Sequence, residues 1–135
     1  MEGDFVRTTI NPNVLYPESR LFLDYVGGND TALHLFSRTS ADFDEMAAAR
    51  KSGETRGDAL ANALRDYNER IGASSSTLQN VEALREPETL CVIGGHQAGF
   101  LGGPLFVVYK ILSIVRTAAQ LTARLNRRVI PLFWL

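Results

Sequence analysis

The sequence predicts an α/β chain: one strand–helix–strand unit of parallel sheet behind a mainly helical N-terminal segment. Three observations carry that expectation. Leu90-Cys91-Val92-Ile93 and Val129-Ile130-Pro131-Leu132-Phe133-Trp134-Leu135 are short apolar runs, the pattern of strands covered on both faces. Between them, Leu105–Leu125 is apolar almost all round. Its one polar stripe, Lys110, Ser113, Thr117, Gln120 and Arg124, advances in steps of three and four, as a helix requires. Upstream, apolar residues recur at helical spacing between glycine and proline breaks. Two strands joined through a helix run parallel, because only a long crossover can join a parallel pair.

The elements follow in order. Residues 1–20 read as extended or irregular around Asn11-Pro12 and Tyr16-Pro17, where proline disfavours helix in the residue before it. Leu21–Val26 forms a short helix that stops at Gly27-Gly28, and Asp30 caps a segment carrying Leu33, Leu35 and Phe36. Asp42–Arg50 is helical and breaks near Gly53. From Asp58 to Ile71, the residues Leu60, Ala63, Leu64, Tyr67 and Ile71 form an apolar stripe that ends at Gly72. Ser74-Ser75-Ser76-Thr77 caps a helix through Leu78, Val81 and Leu84, which Glu86-Pro87 closes. The lead-in thus occupies residues 1–88 and the strand–loop–helix–strand unit residues 89–135. Within that unit Gly94–Gly103 holds five of the chain's 11 glycines. Pro104 suits the first helical position, and Asn126-Arg127-Arg128 ends the helix with positive charge at the negative end of its dipole.

Composition removes several classes. The chain has 135 residues, one ordinary domain, with 45% apolar and 21% charged residues, which argues against disorder. A single cysteine, Cys91, excludes an internal disulfide framework, and His34 and His96 are too few to complete a zinc cluster, so no metal site is expected. The acidic start, Met1-Glu2-Gly3-Asp4-Phe5, is unlike a basic leader, and a cytoplasmic protein is expected. The uncharged run Thr89–Tyr109 is long enough to span a membrane, yet its glycines and Pro104 would strand polar backbone in lipid, so no membrane partner is expected. No basic cluster with interleaved aromatics suggests nucleic acid. Charge is divided unevenly: all 15 carboxylates lie in residues 1–89, and residues 90–135 carry five Lys/Arg without a single acid.

A glycine-rich loop between a strand and a helix start can turn backbone N–H groups toward an anion, aided by the helix dipole. The acid-free surroundings suit that use. Gly94-Gly95-His96-Gln97-Ala98-Gly99-Phe100-Leu101-Gly102-Gly103 matches neither G-x-G-x-x-G nor G-x-x-x-x-G-K-[ST]. Lys110 lies roughly 9 Å along the helix from its first residue, with a side chain that leans back toward the loop. His96, at the carboxyl edge of a strand, suits a general acid or a phosphate-contacting donor, or a loop histidine that satisfies local backbone. Cys91 reads as a small buried hydrophobe, His34 as a packing residue, and Phe133 and Trp134 as core first and base-stacking second.

The run from Val92 to Phe106, continuing to Tyr109-Lys110, resembles the bacillithiol synthase family, whose members run V-V-T-G-Q-Q-x-G-L-x-T-G-P-x-Y-T-x-x-K, then a helix and a P-V-F-W strand. Arg128–Leu135 resembles that strand. Residues 1–89 are similar only loosely, through Leu21–Tyr25 and Tyr67-Asn68. Here His96 stands for the first glutamine of the pair, Gly94 and Gly102 stand for two threonines, and the G-E-D-H-D motif that follows the family's strand is not in the sequence. The resemblance implies an incomplete Rossmann-like parallel sheet, one βαβ unit, with residues 1–135 as the N-terminal part of one such domain. It implies a cysteine ligase joining the cysteine carboxyl to the amino sugar of glucosaminyl malate, ATP or ADP as the nucleotide, and a homodimer for the full-length protein. His96 and Gln97 are then the candidate catalytic residues, and Gly94, Gly95, Gly99, Gly102, Gly103 and Lys110 the candidate ligand-binding ones.

A chain that ends on Leu132-Phe133-Trp134-Leu135 is expected to be a piece of a longer protein, inactive alone; a short form that completes its sheet by dimerising is the alternative. Two other functions stay open: a nucleotidylyl-transferase-like enzyme acting on another small acid, and a non-catalytic module that binds a nucleotide or a partner chain.

Overall fold

The computed structural model describes residues 8–36, 38–39, 42–50, 57–99 and 103–135. They fall into two compact units, Met1–Phe43 and Asp44–Leu135.

In the first unit, the Asn11-Pro12 pair opens a helical turn where an irregular segment is expected. Asn11 is extended, as the residue before proline must be, and its Oδ1 accepts from the Asn13 N–H at 2.9 Å to start α1 (Pro12–Leu15). Helix α2 (Arg20–Val26) ends on Gly27 and Gly28, the latter at φ 75°. The cap of α3 (Asp30–Leu33) is Asn29, whose side chain accepts from the Thr31 N–H at 2.9 Å. Asp30, expected as the cap, instead sits in the first turn, where its charge opposes the positive end of the dipole. Leu35 and Phe36 lie beyond this helix, and the Phe36 ring packs on Tyr25 with centroids 4.6 Å apart.

The second unit contains α4 (Phe43–Ala49), α5 (Gly57–Arg70), α6 (Ser75–Ala83), β1 (Leu90–Gly95), α7 (Leu105–Leu125) and β2 (Val129–Trp134). Gly53 lies outside the described residues. Helix α5 has the expected length, but its inner face is turned by about one residue from the expected stripe. Ala61 is 1% exposed, whereas Leu60 and Tyr67 are 44% and 52% exposed. Interhelical pairing sets this rotation. Arg65 on α5 pairs with Glu82 on α6 at 2.8 Å, and Arg85 reaches back to Asp58 at 2.8 Å and to the Asn62 side chain at 2.7 Å. Ala61 is buried between the positions of those pairs on α5. Ala83 and Leu84, at the end of α6, join Ile130 of β2 in a buried cluster against which Leu64 and Cys91 pack.

β1 and β2 pair in parallel, in register from Leu90↔Val129 to Gly95↔Trp134, so the chain is α/β with a Rossmann-like strand–helix–strand unit. α7 lays Val107, Ile114, Ala118 and Leu121 on the sheet, at spacings of seven, four and three. Its remaining apolar residues, including Leu105, Val108, Leu112 and Val115, are exposed, where burial almost all round is expected. The strands are half-buried on average, with Ile93 exposed, because only a two-stranded sheet and one helical layer are present among the described residues. The helix ends on Asn126 in the left-handed region at φ 48°. Arg127 does more than complement the dipole. Its guanidinium donates to the carbonyls of Ala47 at 2.9 Å and Glu88 at 3.0 Å, and pairs with the Glu88 carboxylate at 3.0 Å.

Candidate functional site

In a parallel strand pair flanked by helix, the carboxyl ends of the strands are where the chain leaves the sheet and a ligand can approach. Gly94, Gly95, His96 and Lys110 meet there. Gly94 and Gly95 close β1 opposite Phe133 and Trp134, and the His96 N–H extends the ladder by donating to the Trp134 carbonyl at 3.1 Å.

Both glycines are required by what packs on them. A Cβ at Gly94 would overlap the Ile114 Cδ1 that α7 presses onto the strand. A Cβ at Gly95 would overlap the Trp134 indole, which lies against the backbone there while the residue stays 62% exposed. The carbonyl of Gly95 is held from the helix side, because Lys110 Nζ donates to it at 2.8 Å. The backward lean of a helical side chain thus brings Lys110 to the loop, onto its backbone. An ammonium has three N–H donors, so two remain for a ligand.

His96 Nδ1 lies 2.8 Å from the carbonyl of Gln97, and its ring meets Phe106 edge-on with centroids 4.9 Å apart. Gln97, Ala98 and Gly99 are exposed. Gly99 is pinched against Gly103, whose Cα occupies the space a side chain would need, and Gly103 has φ 80°, the left-handed region. Gly102 lies outside the described residues. Pro104 takes the cap position of α7, in extended backbone, one residue before its expected place. It carries no side-chain group to cap the helix, and its carbonyl accepts from the Val107 N–H at 2.8 Å. With no Asp or Glu after residue 89, the charge this stretch brings to the site is positive.

Phe106 is a contact that sequence reasoning does not single out; its place as the second residue of α7, just after the loop, is the signal. A concavity of about 500 Å³, lined by Arg65, Gln79, Glu82 and Arg128 among others, lies beside the start of β2, at the opposite end of the strands. Glu82 there is held below the usual glutamate range, chiefly by hydrogen bonding from Arg85 and then from Arg65. That groove is an ion-paired seam between α5 and α6, away from the glycine loop.

The chain matches, over residues 8–135, a family described as bacillithiol biosynthesis BshC, N-terminal Rossmann-like domain. A Bacillus cytotoxicus relative named "Putative cysteine ligase BshC" is 40% identical over 100 residues, covering 74% of this chain and 19% of the relative. Relatives of the same name from Geobacillus kaustophilus and Desulforamulus reducens are 38% and 43% identical, covering 87% and 57% of this chain and 22% and 14% of their own lengths. The chain therefore spans about a fifth of the length of the curated relatives it matches.

Proposed function

Because the chain belongs to the bacillithiol-biosynthesis BshC family, through its N-terminal Rossmann-like domain, we propose that it forms the anion-binding wall of a cysteine ligase site. The reaction is the joining of the cysteine carboxyl to the amino group of glucosaminyl malate. The observation that carries this reading is the convergence of Gly95, His96, Gln97 and Lys110 at the carboxyl ends of β1 and β2, in a stretch without carboxylates.

The residues fit a phosphate-bearing nucleotide such as ATP or ADP. The Gly99–Gly103 pinch, the start of α7 and the two unused donors of Lys110 support this reading, since each suits anionic oxygens. A bound nucleotide would supply the activation that a free carboxylate lacks. Gly94 and Gly95 keep the loop close to the sheet, Gly99 and Gly103 shape it, and Lys110 holds an anionic group beside it. His96 and Gln97 stand nearest the reacting atoms, and exposed Trp134 flanks them. The acids of the reaction come from the part of the family's length outside the match, so these 135 residues alone are expected to show no turnover. The working enzyme is a cytoplasmic homodimer in this reading.

The test is an assay of the full-length protein with ATP, cysteine and glucosaminyl malate, followed by mass spectrometry of the thiol product. Formation of bacillithiol supports the assignment. Nucleotide turnover that depends on a different small acid would replace it with a nucleotidylyl-transfer reaction. Nucleotide binding without turnover on any acid would reduce the domain to a binding module.

A further inference from the structure

Among the described residues the His96 ring makes one hydrogen bond, and it decides which of its nitrogens is available for chemistry. Nδ1 lies 2.8 Å from the carbonyl oxygen of Gln97, and a carbonyl oxygen can only accept. Nδ1 must therefore carry the hydrogen. In the neutral ring, Nε2 is then left as a bare lone pair, and among the described residues no protein group donates to it. Two further contacts hold the residue, one through its backbone and one through its ring. The His96 N–H is tied to Trp134 at 3.1 Å, and the ring edge rests on Phe106 at 4.9 Å. The neighbouring charge is Lys110, reaching from α7 to the carbonyl of the preceding residue. A ring nitrogen with a bare lone pair is a proton acceptor, and the ammonium on the Gly95 carbonyl is the group suited to an anion at this end of the sheet.

We propose that His96 is held as the Nδ1–H tautomer and that its Nε2 is the proton acceptor of the site, taking the proton from an attacking amine. Resting on the ligase reading above, the step balances as follows. The amino nitrogen of the sugar attacks the carbonyl carbon of a cysteine carboxyl activated as a mixed anhydride with phosphate. The C–N bond forms, the C–O bond to the phosphate breaks and its electron pair leaves with the phosphate oxygen. The surplus proton on nitrogen passes to Nε2, making the imidazolium, whose second N–H stays on the Gln97 carbonyl. This is the reverse of the donor role that the strand-edge position alone suggests. It gives His96 and Lys110 separate duties: a base for the amine and a cation for the anion.

The first test needs no substrate, so its outcome is independent of the ligase assignment. The chain has two histidines, and ¹⁵N-labelled imidazoles can be read by long-range ¹H–¹⁵N correlation at alkaline pH, with His34 as the internal comparison. A pyrrole-type Nδ1 and a pyridine-type Nε2 for His96 are expected. The opposite pattern, or an even mixture, overturns the proposal. The second test uses His96→Asn in the full-length protein. Asparagine places an amide donor near the former Nδ1 and removes Nε2, so the link to Gln97 survives while the base is lost. A kcat lower by about 10²- to 10⁴-fold with little change in KM for the amine is expected. An unchanged loop amide spectrum in the 135-residue chain controls for folding. Undiminished kcat overturns the base role.

Discussion

Gly94→Ala tests how closely the glycine loop is tied to helix packing. The new methyl would overlap Ile114 Cδ1, and Ile114 is only 9% exposed, so the side chain cannot simply swing into solvent. Overpacking of this kind costs about 1–3 kcal/mol. Ile114→Val removes the overlapped carbon and on its own costs about 0.5–1.5 kcal/mol. In the double variant the alanine methyl occupies the space Cδ1 vacates, so the two losses should not add. A coupling of about 1–2 kcal/mol in favour of the double variant is expected, readable from urea unfolding of the four proteins of the cycle. Additivity within about 0.5 kcal/mol would refute the reasoning, because it would mean that β1 and α7 can move apart without penalty.

Four other perturbations have definite outcomes. Lys110→Met removes the donor to the Gly95 carbonyl; global stability should change by less than about 1 kcal/mol, while amide exchange at His96–Gly99 quickens. Unaltered exchange would show that the lysine does not order the loop. Asn126→Ala should destabilise by about 1 kcal/mol and Asn126→Gly should not, since the position lies at φ 48°; equal effects in thermal melts would rule out the left-handed cap as the cause. Glu82 has a folded-state pKa below its unfolded value, so its contribution is complete above the ordinary glutamate range and is lost as pH falls through the lowered value. The stability gap between the native chain and Glu82→Gln should accordingly narrow on acidification from that range, and a gap that widens would contradict the assigned Arg85 and Arg65 partners. Arg127→Lys keeps the charge but cannot span the Ala47 and Glu88 carbonyls together, so protection of α4 amides should drop in hydrogen exchange; retained protection would place the support of α4 elsewhere.

The strand–helix–strand unit is legible because its determinants are local. The apolar runs at Leu90 and Val129, the glycine break and the long helix between them each follow from composition over a few residues, and parallel pairing follows from the crossover. Cap positions are less legible. Asn29 and Asp30 are both good caps, and only the extended backbone of Asn29 decides between them. The inner face of α5 was not readable from α5 alone, because Arg65 and Arg85 orient it through partners on both helices. At the site, the candidate residues were visible as a glycine-rich stretch that resembles one family. Which of them touch was not. The Trp134 indole over Gly95 depends on strand register across 39 residues, and the lysine tie and the histidine's fixed ring depend on how α7 sits on the sheet.

That same 39-residue separation bears on the order in which the molecule assembles. Leu90 cannot find Val129 until the intervening chain closes on itself, and for a flexible segment of that length closure costs roughly 3 kcal/mol in entropy. As a helix, α7 becomes a rod of about 32 Å that delivers the second strand to the first, so its formation must precede or accompany pairing. The strand ladder, and with it the placing of Gly95 beside Trp134, is expected to be a late event in folding. Variants that weaken α7 should slow refolding, while variants confined to the glycine loop should chiefly quicken unfolding.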